Sequence, residues 1–243
     1  MKISVVVAAY DEEKTIEPLT RRLQAALSSM PADQWQIIYV IEGEDATKRI
    51  VERLRMEIPS ITLLDGRKAT GLGNSFRRGF AAMWRDADVV VTMDADLNHQ
   101  PEELPRLVRA LSANAADIVI GSRFLRGSRV EGMPWWKRVL SGMMNRAMSL
   151  MYGLEVRDKT SGYRVYRRQV LESLAFQNAD FAFLPELLLL AARRGARMHE
   201  EPICFIFRRE GKSKMGILKT TMSYLRLFWT MRYAGRGHSR LTQ

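Results

Sequence analysis

The chain of 243 residues is 47% hydrophobic and has a single cysteine, Cys204. That length and apolar content suit one large α/β domain or two small ones with a real core. One cysteine excludes an intrachain disulfide framework and fits a reducing compartment. Lys and Arg number 38 against 27 Asp and Glu, a formal net charge of +11. Such a charge points to an anionic partner: nucleic acid, an anionic membrane surface or a phosphorylated substrate.

Met1-Lys2-Ile3 leads straight into a strand with no signal-peptide cleavage pattern. No segment offers the run of about 18 uninterrupted apolar residues that a spanning helix needs. The expected location is therefore cytoplasmic. Ile3 to Ala9 is apolar and β-branched, the mark of a strand buried on both faces. A helix follows from Thr15 to about Met30, its acidic start suiting the helix dipole. Trp35 to Ile41 is a second strand, Ala46 to Met56 a helix, and Ile61 to Leu64 a third strand. Gly71-Leu72-Gly73 opens a helix to Trp84. Phe76 stands where the dinucleotide fingerprint needs a third glycine, so the loop is either a phosphate cradle or a plain entry into a helix. Val89 to Met93, Pro101 to Leu111 and Asp117 to Gly121 continue as strand, helix and strand. This alternation argues for a mostly parallel sheet with helices on both faces.

The strand Val89 to Met93 ends in Asp94-Ala95-Asp96-Leu97-Asn98-His99. Residues two apart in an extended chain share a side, so Asp94, Asp96 and Asn98 converge at the carboxyl end of a central strand, where open α/β sheets bind ligands. Two carboxylates and an amide oxygen form a hard site suited to Mg²⁺ or Mn²⁺ and substrate phosphates. The alternative is that the aspartates cap the helix that begins at Pro101-Glu102-Glu103. An EF-hand is excluded, because His99 holds the place of the required glycine and Pro105 that of the terminal glutamate.

Beyond Gly121 the chain becomes basic. Ser122 to Arg129 is a cationic loop, and Pro134 to Tyr152 a helix with Trp136, Leu140, Met143, Ala147 and Leu150 at helical spacing. Lys137, Arg138 and Arg146 are interleaved. The pattern fits either an interfacial membrane helix or a core helix with a solvated basic side. Asp158 to Arg164 is a turn-rich loop before a strand at Val165-Tyr166. Phe181 to Arg194 is a helix in which Glu186 must be paired or functional. Pro202 to Phe207 is a strand, followed by Arg208-Arg209-Glu210-Gly211-Lys212-Ser213-Lys214, a dense basic loop able to clamp a diphosphate. Ile217 to Tyr233 is a last amphipathic helix of 17 residues, too short and charged to cross a bilayer. The tail after Ala234 is basic.

In this order, Val7-Ala8-Ala9-Tyr10-Asp11-Glu12, Gly71-Leu72-Gly73, Asp94 to His99, Gly121-Ser122-Arg123, Thr160-Ser161-Gly162-Tyr163-Arg164 and Arg208-x-x-Gly211-x-Ser213-Lys214 resemble the motifs of family 2 glycosyltransferases, in particular the polyprenyl-phosphate sugar synthases typified by dolichyl-phosphate mannose synthase. The likeness spans about positions 3 to 216. It departs where Ala8 replaces a proline, Asp11 an asparagine and Asn98 a glutamine, and where Ile41-Glu42-Gly43-Glu44-Asp45 replaces Asp-Asp-Gly-Ser.

The resemblance implies a GT-A type, Rossmann-like fold over residues 1–215, with an amphipathic interfacial helix and basic tail over 216–243. It implies a hexose, mannose before glucose, transferred with inversion from a GDP- or UDP-linked sugar to a polyprenyl phosphate. Ala8, Tyr10, Glu12, Glu42, Gly71, Asp94, Arg208 and Lys214 would bind the nucleotide sugar. Asp94, Asp96 and Asn98 would hold Mg²⁺ or Mn²⁺, and Arg123, Lys137, Arg138 and Ser141 the acceptor phosphate, with Asp94, Asp96 and Arg123 catalytic. The enzyme would sit on the cytoplasmic face of a membrane, alone or with a membrane-protein partner. Nucleic acid is not expected, since no recognised binding motif accompanies the charge. The competing readings are transfer to a sugar or other hydroxyl, and a non-catalytic nucleotide-sugar-binding protein.

Overall fold

The unbroken apolar runs lie side by side at the middle of the sheet, as strands with two buried faces must. The computed structural model describes residues 1–66, 70–207, 222–224 and 226–227. In chain order the strands and helices are β1 (Lys2–Tyr10), α1 (Ile16–Ser28), β2 (Gln34–Glu42), α2 (Thr47–Glu57), β3 (Ile61–Gly66), α3 (Leu72–Ala81), β4 (Val89–Asp94), α4 (Leu104–Ala113), β5 (Ile118–Ser122), β6 (Arg129–Glu131), α5 (Trp135–Tyr152), β7 (Arg164–Arg167), α6 (Arg168–Glu172), α7 (Phe183–Arg193), β8 (Met198–Pro202) and β9 (Cys204–Ile206). Seven strands form one sheet in the order β3-β2-β1-β4-β7-β5-β8, and β6 and β9 pair separately.

Alternate residues of β1 serve opposite layers. Val5 and Val7 pack with Leu19 and Leu23 of α1 and Leu107 of α4, whereas Val6 packs with Phe76 of α3 and Phe183 and Leu187 of α7. Most pairings are parallel, but β7 runs antiparallel between β4 and β5. The strand expected over Pro202 to Phe207 is β9, Cys204–Ile206, and an unexpected strand, β8, precedes it at Met198–Pro202. β8 extends the main sheet beside β5, and β9 joins β6 in a parallel ribbon. Met198-His199-Glu200-Glu201 is polar because it forms the sheet's edge, so it lacks the apolar signal that marks the central strands. The expected helix Ile217 to Tyr233 lies largely outside the described residues. Of its residues 222–224 and 226–227 are helical, and Ser223 and Leu227 are buried there. No described helix is long and apolar enough to cross a membrane.

Glu186 proves to be paired. From the first turn of α7 its carboxylate accepts the backbone N–H groups of Gln177 (2.8 Å) and Asn178 (2.9 Å) and the Asn178 side-chain amide (2.7 Å). The loop it braces is the one on which the glycines entering α3 rest. A Cβ on Gly71 would fall 2.4 Å from the Ala179 carbonyl oxygen, and one on Gly73 2.1 Å from that of Asn178. Glu186→Leu removes the acceptor of these part-buried N–H groups and is expected to cost about 1–3 kcal/mol, read as a lower denaturation midpoint in urea with unchanged slope.

Candidate active site

The carboxyl ends of β1, β2 and β4 lie together because the three strands are parallel neighbours, with Ala8 opposite Asp94 and Tyr10 opposite Glu42 in register. Asp94 is the last residue of β4. Thr92 ties this strand to the approach of β7 by donating to the Gly162 carbonyl at 2.8 Å. Gly162 then lies so close to Asp94 that a Cβ there would sit 2.9 Å from each carboxylate oxygen; only glycine lets the chain pass.

After Asp94 the chain turns through Leu97, whose φ is 59°. Asp96 accepts the Asn98 backbone N–H at 3.1 Å and its side-chain nitrogen at 2.6 Å. These bonds close a turn ahead of the helix and do not cap it, since the residue preceding Pro101 is Gln100 and no side chain caps there, and two such bonds do not exhaust a carboxylate's lone pairs. With its nitrogen given to Asp96, Asn98 could meet a cation only through its amide oxygen. Burial, then the neighbouring Asp96 charge, pushes Asp94 up to about 7, with Arg123 and Arg164 pulling the other way. Each of these adjacent carboxylates raises the cost of ionising the other, and a divalent cation fits such a pair. Among the described residues no three or more His, Cys, Asp or Glu side chains gather to hold a metal ion, so a cation here would complete its shell with substrate phosphate and water.

The loops after β1 and β2 clasp one another beside this pair. Asp11 accepts the backbone N–H groups of Glu44 (3.0 Å) and Asp45 (3.4 Å), and Asp45 accepts that of Glu13 (3.0 Å). Tyr10 is exposed, while Glu12 is buried and accepts the Thr15 hydroxyl at 2.8 Å. Glu42 is also buried; one oxygen accepts the Thr70 hydroxyl at 2.6 Å and the other the Thr70 N–H at 3.0 Å. Glu42 therefore anchors the approach to α3. The amides of Gly73 and Asn74 turn to the Ala179 carbonyl at 2.8 and 3.4 Å, so packing accounts for the glycine loop.

Arg123, expected to be catalytic and to hold the acceptor phosphate, has a side chain 11% exposed and paired with Asp158, with Nε and a terminal nitrogen each 2.8 Å from a carboxylate oxygen. It also donates to the Thr160 hydroxyl at 2.8 Å and lies over the Phe205 ring, 5.2 Å from its centre. Burial alone would raise the Asp158 carboxyl; the guanidinium overrides it and holds the acid below its usual range. Arg123 is thus a neutralised brace between the loop after β5 and the loop before β7. Lys137, by contrast, stands on the first turn of α5 with its ammonium 4.7 Å from the Phe207 ring centre. Arg138 is exposed and Ser141 half-buried on the same helix. Arg208 and Lys214 lie outside the described residues.

Helix α5 buries only Asn145 and Met148. Trp135 (77%), Met143 (64%) and Leu150 (79%) are largely exposed, together with Trp136, Val139, Leu140 and Met151. The helical spacing found in the sequence is therefore a surface stripe and not a core face. Asn145 joins the helix to the site's loop by accepting the Lys159 backbone N–H at 2.7 Å. Sequence reasoning missed Asn145, His99, Asp158 and the contact role of Gly162. Asp158 and Gly162 lie in or beside a quoted motif, but nothing in the chain pairs that motif with Arg123 or Asp94.

A Rossmann-like sheet with a carboxylate pair closing its central strand and an antiparallel strand inserted beside it is the GT-A arrangement of glycosyltransferases. Crystal structures of glucosyl-3-phosphoglycerate synthase from Mycobacterium tuberculosis share this fold. The complex with Mn²⁺, UDP-glucose and phosphoglyceric acid superposes with a TM-score of 0.64 at 21% identity, covering 93% of this chain and 76% of that one. The UDP complex gives 0.66 at 21% identity, covering 94% and 79%. The chain belongs to glycosyl transferase family 2, whose sequence model matches residues 4–175. Among its relatives are the dolichol-phosphate mannosyltransferase of Pyrococcus furiosus, 31% identical over 97% of this chain and 65% of that one; the undecaprenyl-phosphate mannosyltransferase of Micrococcus luteus, 32% over 88% of each; and the polyprenol monophosphomannose synthase of Mycolicibacterium smegmatis, 34% over 87% and 80%. The chain thus spans about two thirds of the Pyrococcus relative's length and most of the other two.

Without metal, an Asp94 pKa of about 7 means the folded state binds a proton that the unfolded chain releases above about 4. More protons bound in the native state make stability fall as pH rises through that window. In EDTA at pH 8, Asp94→Asn is expected to raise stability by roughly 1–2 kcal/mol, after discounting for the carboxylate's partial exposure. A calorimetric scan would show this as a melting temperature higher by about 2–6 °C, with the gain gone by pH 4.

Proposed function

We propose that the protein transfers a hexose, mannose in the first instance and glucose next, from a nucleotide diphosphate sugar to a polyprenyl phosphate at a membrane surface, with inversion at the anomeric carbon. The observation that carries the reading is the Asp94–Asp96 pair at the carboxyl end of β4, joined through the 158–162 loop to a helix with an exposed Trp- and Met-rich stripe. The named activities of the relatives support it.

The chemistry accounts for the residues. An acceptor phosphate oxygen attacks the anomeric carbon as the bond to the nucleoside diphosphate breaks, and the leaving group carries off the electron pair. The acceptor is already an anion, so no strong general base is required. That agrees with only three histidines in the chain, of which His99 is buried. A divalent cation, Mg²⁺ or Mn²⁺, held by Asp94 and Asp96 with the Asn98 oxygen, would neutralise the developing diphosphate charge. Arg208 and Lys214 would add positive charge to the same group. Ala8, Tyr10, Glu12, Glu42 and Gly71 line or support the nucleotide side, Glu42 and Gly71 by fixing the approach to α3. Lys137, Arg138 and Ser141 on α5 would meet the acceptor phosphate, with Arg123 orienting the loop beside them. The exposed stripe of α5 would keep the lipid-bearing acceptor and the enzyme on one surface, which we place on the cytoplasmic face.

Purified protein should move label from one of a panel of GDP- and UDP-sugars into organic-extractable lipid with Mn²⁺ or Mg²⁺, and EDTA should stop it. Asp96→Asn should lower this transfer about 100-fold; undiminished transfer by that variant would remove the metal reading, and no lipid label from any donor would remove the acceptor. Vesicle binding, followed by Trp fluorescence and co-sedimentation with anionic lipid, should weaken about tenfold in Trp135→Ala. Equal partitioning of the two proteins would detach α5 from the membrane role.

A further inference from the structure

His99 is 2% exposed, and among the described residues neither ring nitrogen has a hydrogen-bond partner. Native structures seldom bury such groups unmet. The ring is fixed on both sides. Its centre lies 5.4 Å from that of Tyr163 and 5.3 Å from that of Phe205, the second in an edge-on arrangement. The backbone is held too, because the Ile206 N–H donates to the Asn98 carbonyl at 2.9 Å, forming the bridge that sets His99 against Phe205. In this fixed position Nδ1 stands 3.5 Å from Asp94 Oδ2, a few tenths of an ångström beyond a hydrogen bond. Catalytic hydrogen bonds are often long before ligands arrive. Gly162 approaches both oxygens of the same carboxylate, so the imidazole and the glycine backbone together restrict how Asp94 can turn.

We infer that His99 is a positioning residue for the cation site: its Nδ1–H donates to Asp94 Oδ2 and holds that carboxylate in one orientation as a ligand. This rests on the metal reading above and adds to it. A merely packed ring would serve as well as a phenyl, whereas a donor would not, and that difference can be measured. Residues that orient a metal's carboxylate or histidine ligands typically change affinity about 10–100-fold when removed.

The test is titration with Mn²⁺ alone, followed by electron paramagnetic resonance of the free ion, on wild type, Asp96→Asn, His99→Phe and His99→Asn. The asparagine places an amide N–H close to where Nδ1 stands. His99→Phe should bind Mn²⁺ about tenfold or more weakly, and His99→Asn within about threefold of wild type. With metal saturating, transfer should recover in both. A folded His99→Phe protein with wild-type Mn²⁺ affinity overturns the inference, as does a folded His99→Asn protein as weak as the phenylalanine variant. If neither variant folds, ¹⁵N resonances of the wild-type imidazole decide: a proton on Nδ1 supports the assignment, and a proton on Nε2 alone overturns it. Wild-type Mn²⁺ affinity no better than that of Asp96→Asn would sink the metal reading itself and the inference with it, an outcome distinct from a silent His99→Phe.

Discussion

The buried pair of Arg123 and Asp158 holds together the part of the molecule that is not simple strand-helix alternation. It joins the end of β5 to the loop before β7 through two charge-assisted bonds and a backbone N–H at 3.0 Å. Removing one member of such a pair leaves a charge in low dielectric and typically costs about 3–5 kcal/mol. The same loop carries Lys159, whose N–H is held by Asn145 of α5, and Gly162, which touches the Asp94 carboxylate. One ion pair therefore connects an exposed helix to the carboxylates closing the central strand. The antiparallel β7 is what makes this possible, since it brings a loop to the carboxyl end of a sheet that would otherwise present only strand-to-helix turns there.

Charge is distributed with a purpose that the net value of +11 conceals. The two arginines whose charge bears on Asp94 are both engaged elsewhere. Arg164 is fully buried, with its guanidinium donating to the carbonyls of Leu184 (2.7 Å) and Lys159 (2.6 Å), so its charge reaches Asp94 only through space. Arg123 is cancelled by Asp158. Asp94 and Asp96 thus make an acidic end to β4 in a basic protein, and the proposed cation site rests on that local charge.

The loops on the nucleotide side are built differently. They use carboxylates that receive backbone N–H groups: Asp11 from the loop after β2, Asp45 from the loop after β1, and Glu186 from the loop beneath the glycines. Each carboxylate fixes a stretch of backbone that has no regular partner of its own. The altered second motif is coherent in these terms, because Glu42 keeps an acid at the strand end while both its oxygens secure Thr70.

The sequence by itself determined the sheet's central strands, the placement of Asp94 and Asp96 at a strand's carboxyl end, the helical stripe of α5 and the family resemblance. These depend on short-range periodicity and on motifs contiguous in the chain, which the order of residues records directly. Only the tertiary structure decided that β7 runs antiparallel, that Met198 to Phe207 makes two strands in two sheets, that Arg123 belongs to Asp158, that Glu186 and the glycines of α3 share one loop, and that the stripe of α5 faces outward. Strand direction, edge position and pairing arise from contacts between residues 35 or more positions apart, as for Arg123 and Asp158. An arginine reads the same in a sequence whether its guanidinium faces a substrate or a buried carboxylate, and only the packing around it sets which.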